Sequence, residues 1–178
     1  MTKATEATAR KGWANRIVGQ GEEAPDQLLA NPANWRIHPK PQQDALSDAL
    51  DDIGWIQQVV VNQASGNLID GHLRVSLALR NHEPSVPVLY VDLDDREEAL
   101  ALATLDPIAA MAAADKSKLD ELLHEVDTGS AAIQAMLAAL AAQAGVTPPN
   151  VEFPEYDESV AGEVEYITCP ECGHKWPK

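Results

Sequence analysis

In the first half of the chain, apolar residues occur in two patterns: at the spacing of a helix, and in short continuous runs typical of strands. One set repeats at intervals of three and four: Leu46, Ala49, Leu50 and Ile53. This spacing predicts a helix that begins near Pro41 and ends at Gly54, because proline suits a first helical turn and glycine a left-handed cap. Residues 59–61, all valine, follow as a strand. A turn at Ser65 and Gly66 joins that strand to residues 67–69, which predicts a hairpin.

The segments on either side of this hairpin complete an α/β order. Residues 26–30 form a short apolar run, predicted as the first strand, and residues 70–71 open a second helix. Residues 86–91 form another strand, and Pro87 within it indicates an edge position. From residue 94 onward the spacing is helical, in four segments at residues 97–104, 106–114, 119–126 and 131–144.

This order predicts an α/β fold with a small mixed sheet, flanking helices and a helical extension. The predicted units are a mobile tail over 1–24, an α/β domain over 25–115, a helical extension over 116–145, a proline- and acid-rich linker over 146–168, and a cysteine-containing tail over 169–178. The extension is rich in alanine, which loses no side-chain entropy in a helix. The length of 178 residues suits one domain with tails.

Charge and composition exclude some classes of function. The net charge of −15 argues against a general nucleic-acid coat and against a binder of anionic membranes. The first forty residues carry a small basic excess, so a polyanion would approach there. No apolar run is long enough to cross a membrane, and residues 1–12 lack the apolar centre of a signal peptide. We expect a cytoplasmic protein with no membrane partner.

Residues 70–74 form the strongest candidate site. Gly71 lets the backbone approach a ligand, and the first-turn amides after it are unpaired donors at the positive end of the helix dipole. The guanidinium of Arg74, one turn in, can turn back over those amides, because helical side chains lean toward the amino terminus. Amides and guanidinium together predict a phosphate site. The structural alternative makes Asp70 an N-cap and Arg74 the partner of an acid.

With its flanks, this segment resembles the amino-terminal domain of the ParB/sulfiredoxin superfamily, also described as the ParB-like nuclease domain. Five motifs of that family occur here in the family's order, over residues 26–110. They are N-P-x-x-x-R at 31–36, G-x-x-Q at 54–57, G-x-x-R at 71–74, the proline-containing strand at 86–88 and E-E-A-L at 97–100. The wording N-P-x-N-W-R-x-H-P and I-D-G-H-L-R is typical of the branch encoded by phages and mobile elements, often beside DNA methyltransferases.

The resemblance implies a ParB/sulfiredoxin-like fold and a phosphate site formed by Gly71, His72, Leu73, Arg74 and Arg36. The ligand it implies is a nucleotide, with Mg²⁺, or a nucleic-acid phosphate such as DNA. The resulting function is an accessory module in DNA modification or in phage DNA handling, with a DNA methyltransferase or phage DNA-handling protein as partner. The alternatives are a nuclease or nucleotide-dependent phosphotransferase (NTPase) of the same fold, and a dimerising adaptor with a vestigial anion pocket.

The chain also departs from the family. Nucleotide-hydrolysing ParB proteins carry a later E-N-x-x-R segment, but residues 105–109 here hold Asp106 and no arginine. Their G-E-R-R motif appears here as Gly71-His72-Leu73-Arg74, so its glutamate and its first arginine are missing. Sulfiredoxins need a cysteine where this chain has His72, and no helix-turn-helix follows the domain. His72, as an acid or base, and Asp70 are the candidate catalytic residues.

The last ten residues contain Cys169, Cys172 and His174 in the order C-P-E-C-G-H. This spacing resembles half a zinc ribbon, because C-x-x-C directs two thiolates at one ion. A closed structural zinc site needs four ligands, which a second copy of the chain would complete as a homodimer. The alternative is a pair of reduced thiols without metal. Two cysteines exclude a disulfide framework.

Overall fold

The computed structural model describes residues 12–147 and two short strands at 166–168 and 175–177. Their elements are β1 (Ile17–Glu23), a 3-10 turn (Pro25–Gln27), α1 (Lys40–Ile53), β2 (Val59–Asn62), β3 (Leu68–Asp70), α2 (His72–Arg80), β4 (Val86–Val91), α3 (Asp95–Ala110), α4 (Lys116–Glu125), α5 (Ala131–Ala144), β5 (Tyr166–Thr168) and β6 (Lys175–Pro177).

Strands β1 to β4 form a mixed sheet in the order β1-β4-β2-β3. β4 is antiparallel to β1 and parallel to β2, and β2 is antiparallel to β3. The parallel pair requires a crossover, which β3 and α2 provide between β2 and β4. The predicted mixed α/β architecture is confirmed.

The core lies between this sheet and α2. Alternate strand residues point into it, so Val59 and Val61 are buried while Val60 is partly exposed. The buried cluster comprises Val59, Val61, Leu68, Val75, Ala78, Val86 and Val88. Valine suits these positions because its branched side chain packs well on a pleated surface. This packing fixes the end of β3 and the start of α2 relative to the sheet.

The first strand is β1, not the predicted run at residues 26–30. Residues 17–23 therefore belong to the sheet, although the predicted mobile tail extended to residue 24. The segment escaped prediction because it is an exposed edge strand held by backbone pairing to β4. The ring of Tyr90 lies beside Gly19 and Gly21, 3.8 Å from where a Cβ would stand at either glycine, which is an ordinary van der Waals distance.

β4 is a central strand, so the edge position predicted from Pro87 is wrong. Pairing of β4 with β2 starts at Val88, opposite Val59. Pro87 lies one residue before that ladder, where a missing N–H leaves no bond to β2 unmade.

Residues 95–110 form one helix, α3, where two segments were predicted, and Pro107 lies inside it. A capping box starts α3: the Glu97 amide donates to Asp94 Oδ1 at 2.8 Å, and the Asp94 amide donates to Glu97 Oε2 at 3.0 Å. Proline is tolerated near the end of α3, where few further backbone bonds depend on it.

Helices α4 and α5 form the extension, and α5 packs on α1. Leu123 and Ala141 are buried. At the start of α5, the Ser130 hydroxyl donates to Asp48, and the Thr128 hydroxyl donates to Asp52 Oδ2 at 3.3 Å. The extension is thus attached to the α/β unit by packing and by polar contacts. Within the described residues, no helix combines the length and apolarity needed to cross a membrane.

Strands β5 and β6 pair antiparallel, with Thr168 opposite Lys175. The predicted linker over 146–168 therefore ends in a strand. Most of that linker, and the candidate zinc ligands Cys169, Cys172 and His174, lie outside the described residues.

Candidate functional site

A cleft of about 180 Å³ opens where β3 ends and α2 begins, and we call it the α2 cleft. Its lining residues come from the loop before α1, from α1, from the β3–α2 junction and from α3: Arg36, His38, Gln42, Leu46, Asp70, Gly71, His72, Leu73, Arg74 and Asp106. Pockets for drug-sized ligands measure roughly 300–1,000 Å³. The α2 cleft therefore fits a phosphate group rather than a whole nucleotide.

Gly71 forms the entrance to α2. It is the N-cap, in the left-handed region at φ 93° and ψ 15°, and no side chain caps the helix start. A Cβ at this position would lie 2.6 Å from Val59 Cγ1. Glycine is thus required both by its dihedral angles and by the close approach to β2. The uncapped first-turn amides of α2 remain as donors at the edge of the α2 cleft.

Arg74 lies one turn into α2 and turns back toward Asp70. Its Nη1 is 3.5 Å from Asp70 Oδ2, and its Nη2 donates to Gln57 Oε1. The side chain is 18% exposed. A guanidinium so largely removed from water interacts more strongly with an anion than one at the open surface.

Arg36 reaches the same carboxylate from the loop before α1. Its Nη1 is 3.9 Å from Asp70 Oδ1, and its Nε is 2.5 Å from Asp106 Oδ2. The contact with Asp106 is an ion pair without hydrogen-bond geometry. Arg36 Nε and Nη2 are buried and have no hydrogen-bond partner among the described residues. Because Nε contacts Asp106 and Nη1 faces Asp70, Nη2 is the Arg36 nitrogen that a ligand could use.

His72 lines the α2 cleft together with Arg36 and Arg74. The Asn31 amide donates to His72 Nε2 at 3.3 Å, and Nδ1 is buried without a hydrogen-bond partner in the described part of the chain. Burial lowers the pKa of His72, the positive charge of Arg36 lowers it further, and Asp70 opposes both. The imidazole is consequently neutral near pH 7.

The structure brings Arg36, Gly71, His72 and Arg74 to one cleft, and Leu73 contributes to its lining. Asp70 is not the N-cap, but it does pair with Arg74, as the structural alternative expected. As a catalytic candidate, Asp70 lies within ion-pair distance of both arginines. The phosphate-binding and catalytic roles remain predictions.

Sequence reasoning missed the positions of three further residues in this site. Gln57 and Asn31 belong to motifs of the family resemblance, so their place in the order was visible but their contacts were not. Asp106 stood out only as a departure from the family pattern, and the structure places it against Arg36. Across residues 12–147, no cluster of three or more His, Cys, Asp or Glu side chains could hold a metal ion.

Comparison with known proteins gives similarity to solved structures only. No protein-family model matches the chain. No curated protein matches it either. Three similar structures are ParB proteins or ParB N-domains. The first is a C-terminally truncated ParB from Caulobacter crescentus complexed with CTP-gamma-S, with 23% identity, coverage of 61% of this chain and 64% of that one, and a TM-score of 0.47. The second is a pNOB8-like ParB N-domain, with 15% identity, coverage of 93% and 59%, and a TM-score of 0.46. The third is the truncated C. crescentus ParB complexed to the centromeric parS site, with 16% identity, coverage of 71% and 59%, and a TM-score of 0.39.

This chain spans 59–64% of the length of those three proteins, which is less than two thirds.

Proposed function

We propose that this chain is an accessory binding module that holds the phosphate groups of a nucleotide or a nucleic acid in the α2 cleft. Its role would be in DNA modification or in handling phage or mobile-element DNA. The loop at residues 31–39 and the segment 69–74 support that setting, because their wording resembles the phage- and methyltransferase-associated ParB-like branch.

One observation carries the proposal: Arg36 and Arg74 lie 38 positions apart in the chain, yet both contact Asp70 in one cleft. Two largely buried guanidinium groups, with Nη2 of Arg36 unpartnered among the described residues, and the first-turn amides of α2 form one set of donors. Arginine binds phosphate through two parallel hydrogen bonds, so this set suits a phosphate group.

Asp70 and Asp106 offset both arginine charges in the free protein. A phosphate entering the α2 cleft would meet those carboxylates as well as the guanidinium groups. Mg²⁺ is held in proteins by one or two carboxylates together with substrate phosphates, so these two residues fit a magnesium–nucleotide complex. The ion would neutralise the repulsion between carboxylates and phosphate. We therefore expect Mg²⁺ to strengthen nucleotide binding.

The test is a titration of the full chain with labelled CTP, labelled ATP and short duplex DNA, each with and without Mg²⁺. Saturable binding without turnover supports the binding module. Nucleotide hydrolysis or DNA cutting would instead select the alternative enzyme of the same fold. If no ligand binds under any condition, the α2 cleft is vestigial and the adaptor alternative replaces the proposal.

Arg74→Ala is the matched variant for this titration. We expect it to weaken nucleotide or DNA binding by about 1.5–3 kcal/mol, the scale of a charge-assisted hydrogen bond. The melting temperature without ligand should change little, because Asp70 keeps Arg36 as a partner. Arg96→Ala is the control, since it removes the same charge from an exposed position outside the α2 cleft. Unfolding of Arg74→Ala, with no ligand bound by the wild type, would show a purely structural arginine.

A further inference from the structure

The carboxylate of Glu98, on α3, accepts hydrogen bonds from three separate segments of the chain. It accepts from four side chains: Asn31 Nδ2 at 2.7 Å, Asn62 Nδ2 at 2.5 Å, Ser65 Oγ at 2.6 Å and Asn67 Nδ2 at 3.4 Å. Asn31 and Asn62 are almost completely buried. These donors come from the loop that follows the 3-10 turn, from the end of β2 and from the β2–β3 turn. One side chain thus joins three segments.

Glu98 is held in its ionised form. Burial raises the pKa of Glu98, but hydrogen bonds from Asn62, Ser65, Asn31 and Asn67 outweigh burial and lower the pKa below its usual value. All four donors are neutral, so the carboxylate makes no ion pair with them. An ionised carboxylate only accepts hydrogen bonds, and each amide must therefore turn its nitrogen toward Glu98.

Asn31 is fixed at both side-chain atoms as a result. Its Nδ2 donates to Glu98, and its Oδ1 accepts from the Ala33 amide at 2.9 Å. With the side chain held on both sides, the backbone N–H of Asn31 is directed at His72 Nε2. The chain of contacts runs from Glu98 through Asn31 to the imidazole in the α2 cleft.

This contact decides which nitrogen of His72 carries the proton. Neutral imidazole has one N–H and one acceptor nitrogen. Because Nε2 accepts from Asn31, the proton lies on Nδ1. Nδ1 is buried and has no partner among the described residues, and the same holds for Nη2 of Arg36, which lines the same cleft. Buried donors without partners are rare in native proteins and call for a specific explanation.

We infer that Glu98 is a positioning residue that acts through Asn31 to hold His72 with its proton on Nδ1, as a neutral donor for an anion in the α2 cleft. The anion rests on the proposed function, whereas the protonation of His72 does not. His72 would then add a hydrogen bond to those of Arg36 and Arg74 without adding charge.

The experiment is nitrogen-15 NMR of the histidine side chains in the full chain near pH 7, followed by titration with inorganic phosphate. In the wild type, we expect His72 Nε2 to have the shift of an unprotonated nitrogen. Glu98→Gln should mix the two neutral forms of His72 and weaken phosphate binding by about three- to tenfold, the effect of one hydrogen bond. Ser65→Ala is the matched control, because it removes one bond to Glu98 that does not involve Asn31. It should leave His72 unchanged.

Asn31→Ser provides a second route if Glu98→Gln does not fold. It removes the bond to Glu98 but keeps the backbone N–H, the other three bonds to Glu98 and a hydroxyl able to form the local turn. It should mix the two neutral forms of His72, as Glu98→Gln does. A wild-type proton on Nε2, or a folded Glu98→Gln or Asn31→Ser with His72 unchanged, overturns the inference. A wild type that binds no phosphate but shows the expected His72 spectrum contradicts the proposed function alone.

Discussion

At the scale of single residues, the α2 cleft depends on one shared carboxylate. Asp70 lies at the end of β3, where it contacts an arginine from the loop before α1 and another from α2. The negative charge of Asp70 offsets the repulsion between the two guanidinium groups, so both can lie close together. A binding site for an anion and an internal ion-pair cluster therefore use the same residues, and only ligand binding distinguishes them.

Gly71→Ala tests the close approach of α2 to β2. We expect a loss of about 2–4 kcal/mol in the free energy of unfolding, because alanine is strained at this φ and its Cβ would overlap Val59. Gly145→Ala is the control: Gly145 is also left-handed, at φ 68° and ψ 42°, but the added Cβ would meet only the end of the flexible Lys116 side chain. It should lose only about 1–2 kcal/mol, the cost of the conformation. Equal losses in urea denaturation would show that contact with Val59 is unimportant.

His72→Gln tests the burial of a neutral imidazole. The pKa of His72 is below the usual value of 6.5 in the folded chain, so the unfolded chain binds the proton first as the pH falls. The wild type should therefore lose stability from about pH 7 downward, until the pH passes the lowered pKa. His72→Gln should lack this part of the pH dependence, since the amide does not titrate and its oxygen can accept from Asn31.

The control for this pH series is His124→Gln, because the His124 side chain is 60% exposed. Urea denaturation of each variant between pH 5 and pH 8 provides the measurement. A variant His72→Gln whose stability falls with pH as steeply as that of the wild type would contradict a neutral, buried His72.

At the scale of the elements, the spacing of apolar residues predicted those helices and strands that pack against the core through one apolar face. The structure contains the predicted α1, β2–β3 hairpin and α5, because their apolar residues repeat with the period of a helix or a strand. β1 contains two glycines and three glutamine or glutamate residues, so its place in the sheet depends on backbone pairing that leaves no apolar pattern. Pro87 suggested an edge because the sequence does not show where pairing with β2 begins.

The same limit applies to the candidate site. G-x-x-R at the start of α2 was visible because its chemistry is local. The contacts of Arg36 with Asp106 and of Arg74 with Gln57 join residues 70 and 17 positions apart, and no spacing rule predicts such pairs. Asp106 lies in α3, which the sequence divided into two predicted segments, 97–104 and 106–114.

Pro107→Ala tests whether α3 is continuous through this position. Proline inside a helix lacks the N–H that would bond to the carbonyl four residues earlier. Alanine would restore that bond, and we expect the free energy of unfolding to rise by about 1–3 kcal/mol. Pro84→Ala, in the exposed turn before β4, is the control and should stabilise nothing. Unchanged or lower stability of Pro107→Ala in thermal denaturation would contradict a continuous helix.

At the scale of the whole molecule, the acidic charge and the phosphate proposal have to be reconciled. The net charge is −15, so long-range electrostatics repels a polyanion. The α2 cleft offers strong but local attraction, from two arginines that are largely buried. Salt screens repulsion across the surface more than interactions inside the cleft. A small phosphate ligand, or a nucleic acid reached by its end, suits this balance better than a long duplex.

The carboxyl terminus supplies the last prediction, a zinc site formed by Cys169 and Cys172 of two chains. β5 and β6 pair with Thr168 opposite Lys175, so the six residues between them connect two paired strands. The spacing C-x-x-C provides two thiolates to one ion, and a closed zinc site needs four ligands. Two copies of the chain, each giving two thiolates, would complete it. We therefore predict half an equivalent of zinc per chain, in a dimer.

Metal analysis together with mass in solution tests this zinc site, on protein purified without a chelator. Cys172→Ser should lose the zinc and shift the mass to that of one chain, because a site with two of its four thiolates removed no longer holds the ion. Ser159→Ala is the control, since it alters a neighbouring segment but no ligand. One zinc tightly bound per monomer would contradict the shared site and favour Cys169, Cys172 and His174 with an outside ligand. Purified protein without zinc, and with the same mass as Cys172→Ser, would leave the two cysteines as reduced thiols.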